Sequence, residues 1–292
     1  MKTKSVELVV SPPTPHFVGD AFRVHNFIPR TFPLGMERMS PFVLLDYASK
    51  YYFGPTDTPR GVGVHPHKGF ETVTIAYQGK VAHHDSRGGG GVIGEGDVQW
   101  MTASSGILHK EYHETEWSRQ GGDFQMVQLW VNLPKKYKLS PPKYQAIVNA
   151  DIPRYILENN QGEIEVIAGQ YKGVMGAATT FSPMHLLNAK LKKGAKADFT
   201  FPANYNTALV IIEGSIIVNG TDASPHNHFV LMDNDGEQFE IKATEDAIIL
   251  VLSGQPINEP LAARGPFVMN TQEELQQAYI EFYEGKFGEL ED

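Results

Sequence analysis

The chain has 292 residues, of which 41% are hydrophobic, 11% aromatic and 20% charged. That is enough apolar material for a sizeable core and excludes a disordered or low-complexity protein. Its 25 basic and 34 acidic residues leave a formal net charge of −9, a field that repels polyanions and argues against direct nucleic-acid binding. With no cysteine, disulfides, thiolate metal sites, iron–sulfur clusters and cysteine nucleophiles are excluded, so any metal must be held by nitrogen and oxygen.

In chain order, the Met1–Leu8 segment is charged and lacks the apolar run of a signal peptide, and no stretch approaches the roughly 18 apolar residues of a membrane span. A cytoplasmic, non-membrane protein is the default expectation. Short β-branched runs then read as strands: Thr72–Tyr77, Met126–Val131, Ala208–Ile212 and Ala247–Leu252. Turn punctuation recurs between them at Gln78-Gly79, Gly88 to Gly91, Gly94-Glu95-Gly96, Glu213-Gly214, Asn219-Gly220 and Asp235-Gly236, the spacing of an all-β sandwich or barrel. Between Leu133 and Ile152, Leu133-Pro134-Lys135-Lys136 and Ser140-Pro141-Pro142 interrupt the strand pattern and predict a connection between two β domains, 1–133 and 134–292. The second half repeats the grammar of the first, Tyr205 to Gly214 resembling Glu71 to Gly79, which points weakly to an internal duplication. The chain closes on a helix. Thr271 and Glu274 form a capping box, Leu275, Ala278, Tyr279 and Phe282 share a face, and Gly285 can terminate it.

Among 11 histidines, His65 and His67 stand two apart, so in an extended segment both imidazoles share a face. His109 and Glu111 repeat the offset. If the two segments are neighbouring strands, three neutral imidazoles and one carboxylate converge on one point, a set suited to Fe(II) first, with copper, nickel, cobalt, manganese or zinc also chemically acceptable. Such a site keeps positions open and a net positive charge, which draws an enolate or phenolate.

Other residues have weaker patterns. Glu71, four residues after His67, is a ligand only if strand irregularities turn it to the same face. His83, His84 and His113 lie near the ligand segments in sequence and are read as structural or as supports of a ligand. His226-Asn227-His228 reads as a polar turn, and Gly88 to Gly91 as a hairpin with no phosphate-loop context. Trp100 and Trp130 read as core, although either, like Trp117, could stack on an aromatic substrate.

These segments resemble a known family. His65-Pro66-His67-Lys68-Gly69-Phe70-Glu71-Thr72, His84-Asp85-Ser86, Gly96-Asp97-Val98-Gln99-Trp100-Met101-Thr102-Ala103 and Gly106-Ile107-Leu108-His109-Lys110-Glu111 look like the pirin signature. Gln128-Leu129-Trp130-Val131-Asn132-Leu133-Pro134 and Gly265-Pro266-Phe267-Val268-Met269-Asn270-Thr271 continue it over most of the chain. The resemblance implies a bicupin: two tandem β-sandwich barrels, the N-terminal one binding a single non-haem iron through His65, His67, His109 and Glu111. It implies a second cupin without a site, since Tyr205-Asn206-Thr207 offers no imidazole. One departure is Ser104, where family members commonly have glycine, which puts the local turn in question.

Two functions follow from the resemblance. One is a quercetin 2,3-dioxygenase, opening a flavonol with dioxygen and releasing carbon monoxide, with Glu111 as both ligand and general base. The other is a non-enzymatic, iron-dependent redox sensor that binds a transcription factor or metabolic enzyme, for which the acidic surface suits a protein partner better than DNA.

Overall fold

The computed structural model describes residues 1–29 and 34–291. All four predicted apolar runs lie inside strands, Phe70–Gln78, Gly122–Asn132, Asn206–Glu213 and Ala247–Gly254. The chain divides into two compact units. The first comprises Thr14–Glu37, Pro41–Asn149 and Ile257–Asp292, and the second Met1–Pro13, Arg38–Ser40 and Ala150–Pro256. The units therefore exchange termini, unlike a division at 133/134. Val6–Val10 pairs with Phe229–Met232 as the edge strand of the second unit, because its apolar residues pack on that unit's core. The closing helix belongs to the first unit.

Among the described residues each unit has one seven-stranded, one four-stranded and one two-stranded sheet, with antiparallel pairing between the strands. In the first unit the seven strands run in the order Lys143–Ile147, Val98–Thr102, Phe70–Gln78, Gly122–Asn132, Phe42–Phe53, Phe22–Ile28, His16–Val18. Its four-stranded sheet runs Gly61–His67, Ile107–His113, Val81–Asp85, Gly90–Ile93. The segment read as a connection is thus partly sheet. After Pro141-Pro142, Lys143–Ile147 joins as an edge strand, the sheet position that a flanking proline pair tolerates.

The second unit repeats the plan, with Asn206–Glu213 third from its sheet edge as Phe70–Gln78 is in the first. Both strands end at a left-handed glycine, Gly214 at φ 70° and Gly79 at φ 85°, matching the internal repeat. The interiors differ in chemistry. The second unit is filled between its sheets by aliphatic and phenylalanine side chains, among them Leu187, Phe199, Leu209, Phe239 and Val251. In the first, an apolar cluster around Phe22, Phe53, Phe124 and Met126 gives way to buried histidines.

The closing helix, Gln272–Tyr283, has the capping box formed by Thr271 and Glu274. Leu275 and Ala278 are buried with Phe267 and Phe287, and Tyr279 and Phe282 pack alongside. A second, six-residue helix, Thr115–Gln120, is capped by the Glu114 side chain. Its shortness hides any helical period in the sequence. Among the described residues no helix is long and apolar enough to cross a membrane.

Candidate metal centre

The Gly61–His67 and Ile107–His113 strands are antiparallel neighbours, with His109 opposite His65 and Ile107 opposite His67. Two-residue alternation within each strand and the pairing of His109 with His65 put His65, His67, His109 and Glu111 on one face of this sheet. A register irregularity between His109 and Glu111 sets Glu111 opposite Val62. Ring centroids lie 4.2 Å apart for His65 and His109, 4.6 Å for His67 and His109, and 4.9 Å for His65 and His67. One ligand atom from each of these three histidines lies within 4.8 Å of the other two. Glu111 falls in an overlapping group with His109 and His83.

The strand bearing His65 and His67 is anchored at its end by the Gly265-Pro266 turn. Lys68 N donates to the Pro266 carbonyl, and Val268 N to the Lys68 carbonyl at 3.0 Å. Gly69 takes φ +88°, and a Cβ there would strike the Val268 carbonyl oxygen, so glycine is required by both torsion and close approach. Lys138 Nζ, fully buried, ties this corner together with bonds to the Gly69 and Val268 carbonyls at 2.7 and 2.8 Å.

Hydrogen bonds assign the protons. Gln99 Nε2 lies 3.4 Å from Glu111 Oε1, so the nitrogen end of this amide faces the carboxylate. The same Nε2 donates to His83 Nδ1 at 2.9 Å. His83 then has its proton on Nε2, which lies 3.6 Å from Asp85 Oδ2. In the 3.3 Å contact between His109 Nδ1 and His83 Nδ1, His109 is therefore the donor, and its Nε2 keeps a bare lone pair. Among the described residues no partner meets that buried Nε2 or His67 Nδ1. His65 Nδ1 donates to the Gly63 carbonyl at 2.8 Å, freeing its Nε2.

Burial, reinforced by the neighbouring imidazoles, holds His67 and His109 well below the ordinary histidine range, so both are neutral. Glu111 is positioned by Gln128 Nε2 at 2.9 Å and by Thr74 Oγ1 and Gln99 Nε2 at 3.4 Å. A buried polar atom without a partner costs about 1–3 kcal/mol. Neutral imidazoles with unshared lone pairs beside a fixed carboxylate are the donor set that a divalent cation satisfies.

A cavity of about 380 Å³ opens onto this cluster. His65, His67, Glu111, Gln128 and Asp46 are its polar wall, and Val18, Phe22, Val24, Leu44, Met126 and Trp130 are much of the rest. Trp130 stacks on Phe70 at 4.3 Å and meets the edge of His67, so it is both packing and cavity wall, whereas Trp100 is fully buried core.

The remaining candidates fall elsewhere. Glu71 accepts from Thr102 Oγ1 at 2.7 Å and belongs to neither ligand group, because Phe70 and Thr74 take the face toward the cluster and alternation turns Glu71 away. His84 pairs with Tyr112 at the surface. His113 sits among Phe22, Phe53, Trp117 and Phe124. His228 Nδ1 bonds the His226 carbonyl across a turn in which Asn227 has φ 63°. Sequence reasoning missed Gln99, Gln128 and Asp46. Their signal, a polar residue at an inward position of an otherwise apolar strand, is visible in each of the three strands.

A large and a smaller antiparallel sheet in each unit, a repeated plan and an interior histidine cluster in one unit define a bicupin. Residues 21–131 match the Pirin family and residues 186–288 match the Pirin C-terminal cupin domain. A Pseudomonas aeruginosa protein named "Putative quercetin 2,3-dioxygenase" is 48% identical over 272 residues, 93% of this chain and 94% of its own. A "Pirin-like protein" of Solanum lycopersicum is 36% identical over 256 residues, 87% and 84% of the two chains. A crystal structure of quercetin 2,3-dioxygenase from Acinetobacter baumannii aligns with a TM-score of 0.93 at 48% identity, covering 99% of this chain and all of that one. The chain belongs to the pirin family.

Proposed function

We propose that the protein binds one divalent metal ion, Fe(II) first, through His65, His67, His109 and Glu111, and acts as a flavonol 2,3-dioxygenase of the quercetinase type. The observation that carries this reading is the set of unpartnered imidazole nitrogens beside Glu111 at the wall of a largely apolar cavity of about 380 Å³. The names of the relatives at 48% identity support it. A divalent ion at these residues supplies Lewis acidity toward an enolic hydroxyl and redox access to dioxygen.

The chain's own residues do the rest. Val24, Leu44, Met126 and Trp130 exclude water and receive a flat aromatic ligand, Trp130 offering a ring face or edge. Glu111 takes the proton of the flavonol 3-hydroxyl on a carboxylate oxygen, and Gln128 and Gln99 hold that carboxylate in place. The sum of the reaction is flavonol plus O₂ giving the ring-opened ester plus CO, which balances without another reductant.

Oxygen uptake by Fe(II)-loaded protein with quercetin, beside a His65→Ala control, tests the reading. Uptake that needs the metal and disappears in the control supports it. Bound metal without uptake overturns the enzyme reading in favour of a metal-dependent binding protein.

A further inference from the structure

A row of polar side chains crosses the seven-stranded sheet at one level. Thr74, Gln128, Asp46 and Asn26 are successive register partners on four neighbouring strands, each about 4.8 Å from the next strand. At one end Gln128 Nε2 is spent on Glu111. At the other, Asn26 Nδ2 donates to Asp46 Oδ1 and to the Ile28 carbonyl, both at 2.8 Å.

Asp46 is only 8% exposed, yet it lines the same cavity as His65, His67 and Glu111. Among the described residues no donor meets its Oδ2. Val24, Leu44 and Met126 share the wall, and burial pushes the carboxyl up to about 6. The carboxyl therefore keeps acceptor capacity that its own fold does not use. Neither the ligand cluster nor the contacts that hold Glu111 require it.

The geometry points to Asp46 as a specificity-determining residue, whose free oxygen accepts a hydrogen bond from a ring hydroxyl of a polyphenolic ligand bound with its enolic oxygen toward the histidine cluster. The cavity then selects polyhydroxylated aromatic enols over unsubstituted ones. This rests on the flavonol reading above and names the feature of the substrate that the site reads. A hydrogen bond to a carboxylate is worth about tenfold in affinity or more.

The test is anaerobic calorimetric titration of Fe(II)-loaded protein with 3-hydroxyflavone, which lacks further ring hydroxyls, and with galangin, kaempferol and quercetin. The wild type is expected to bind quercetin about tenfold more tightly than 3-hydroxyflavone. Asp46→Asn turns the free acceptor into a donor, because Asn26 still holds the carbonyl oxygen, and Asp46→Leu removes it. Both variants are expected to abolish the preference, bringing the affinity for quercetin to that for 3-hydroxyflavone. A preference that survives both substitutions, or an equal loss for all ligands, overturns the role of Asp46. The comparison of ligands on the wild type needs no variant to fold: equal affinities overturn the inference alone. No binding of any of the four overturns the flavonol reading and the inference with it.

Discussion

Glu71 offers a test that separates a buried structural acid from a metal ligand. It stands four residues after His67, is fully buried and accepts from Thr102 Oγ1 at 2.7 Å. Burial pushes its carboxyl up to about 7, against 4.5 for the free group. In the unfolded chain the carboxyl loses its proton near pH 4.5, and in the folded protein only near pH 7. As pH rises through this window the unfolded state holds fewer protons, so stability falls. The gap of about 2.5 units at 1.36 kcal/mol each is about 3 kcal/mol, of which about 2–3 kcal/mol develops between pH 5 and pH 8. Glu71→Gln removes the titration. Unfolding midpoints of wild type and variant at both pH values give a double difference, in which the packing cost of the amide cancels. The variant should gain about 2–3 kcal/mol relative to wild type on going from pH 5 to pH 8, on the order of 5 °C in midpoint, with its metal content unchanged. Equal pH responses in the two proteins would refute the reasoning, and loss of metal would return Glu71 to the ligand set.

The acid side should show the opposite slope. Burial holds His113 down to about 4 against 6.5, so below pH 6.5 the unfolded imidazole takes a proton that the folded one refuses. Wild type should lose about 2 kcal/mol from this group between pH 7 and pH 5, and His113→Phe should lose correspondingly less in the same unfolding series. Ser104, at φ 39°, occupies the left-handed region that favours glycine. Ser104→Gly and Ser104→Ala both lose the hydrogen bond from Ser140, but only glycine relieves the torsion, so thermal unfolding should find Ser104→Gly more stable than Ser104→Ala by about 1–2 kcal/mol. Gln99→Leu removes the donor that fixes His83 and steadies Glu111. In competition with a chelator its metal affinity should fall about 10–100-fold, with the stoichiometry kept.

Sequence periodicity located the strands, the capping box and the two pairs of histidine-segment residues, because each is a local pattern that the backbone geometry converts directly into a shared face. What escaped depends on contacts far apart in sequence. The exchange of termini between units has no signature in composition: Val6–Val10 finds its partner more than two hundred residues away. The orientation of Glu71 required knowing that its neighbours Phe70 and Thr74 face His67 and Glu111. Ser104 shows the limit from the other side. The sequence puts this turn in question, and only the structure shows Ser104 at φ 39° with its carbonyl accepting from Gly69 N at 2.8 Å. Trp130 lines the cavity, because alternation with polar residues along a strand marks a cavity wall as well as a core position.

His65, His67 and His109, beside Glu111, are proposed to hold one metal ion. The most direct measurement is metal content after anaerobic Fe(II) loading and desalting, for wild type, His65→Ala, His67→Ala, His109→Ala and His83→Gln. One ion per chain is expected in wild type, with loss in the first three variants and retention with weakened affinity in His83→Gln. Full loading of His65→Ala and His67→Ala with loss in His83→Gln would contradict it, and would assign the ion to the overlapping group of His83, His109 and Glu111.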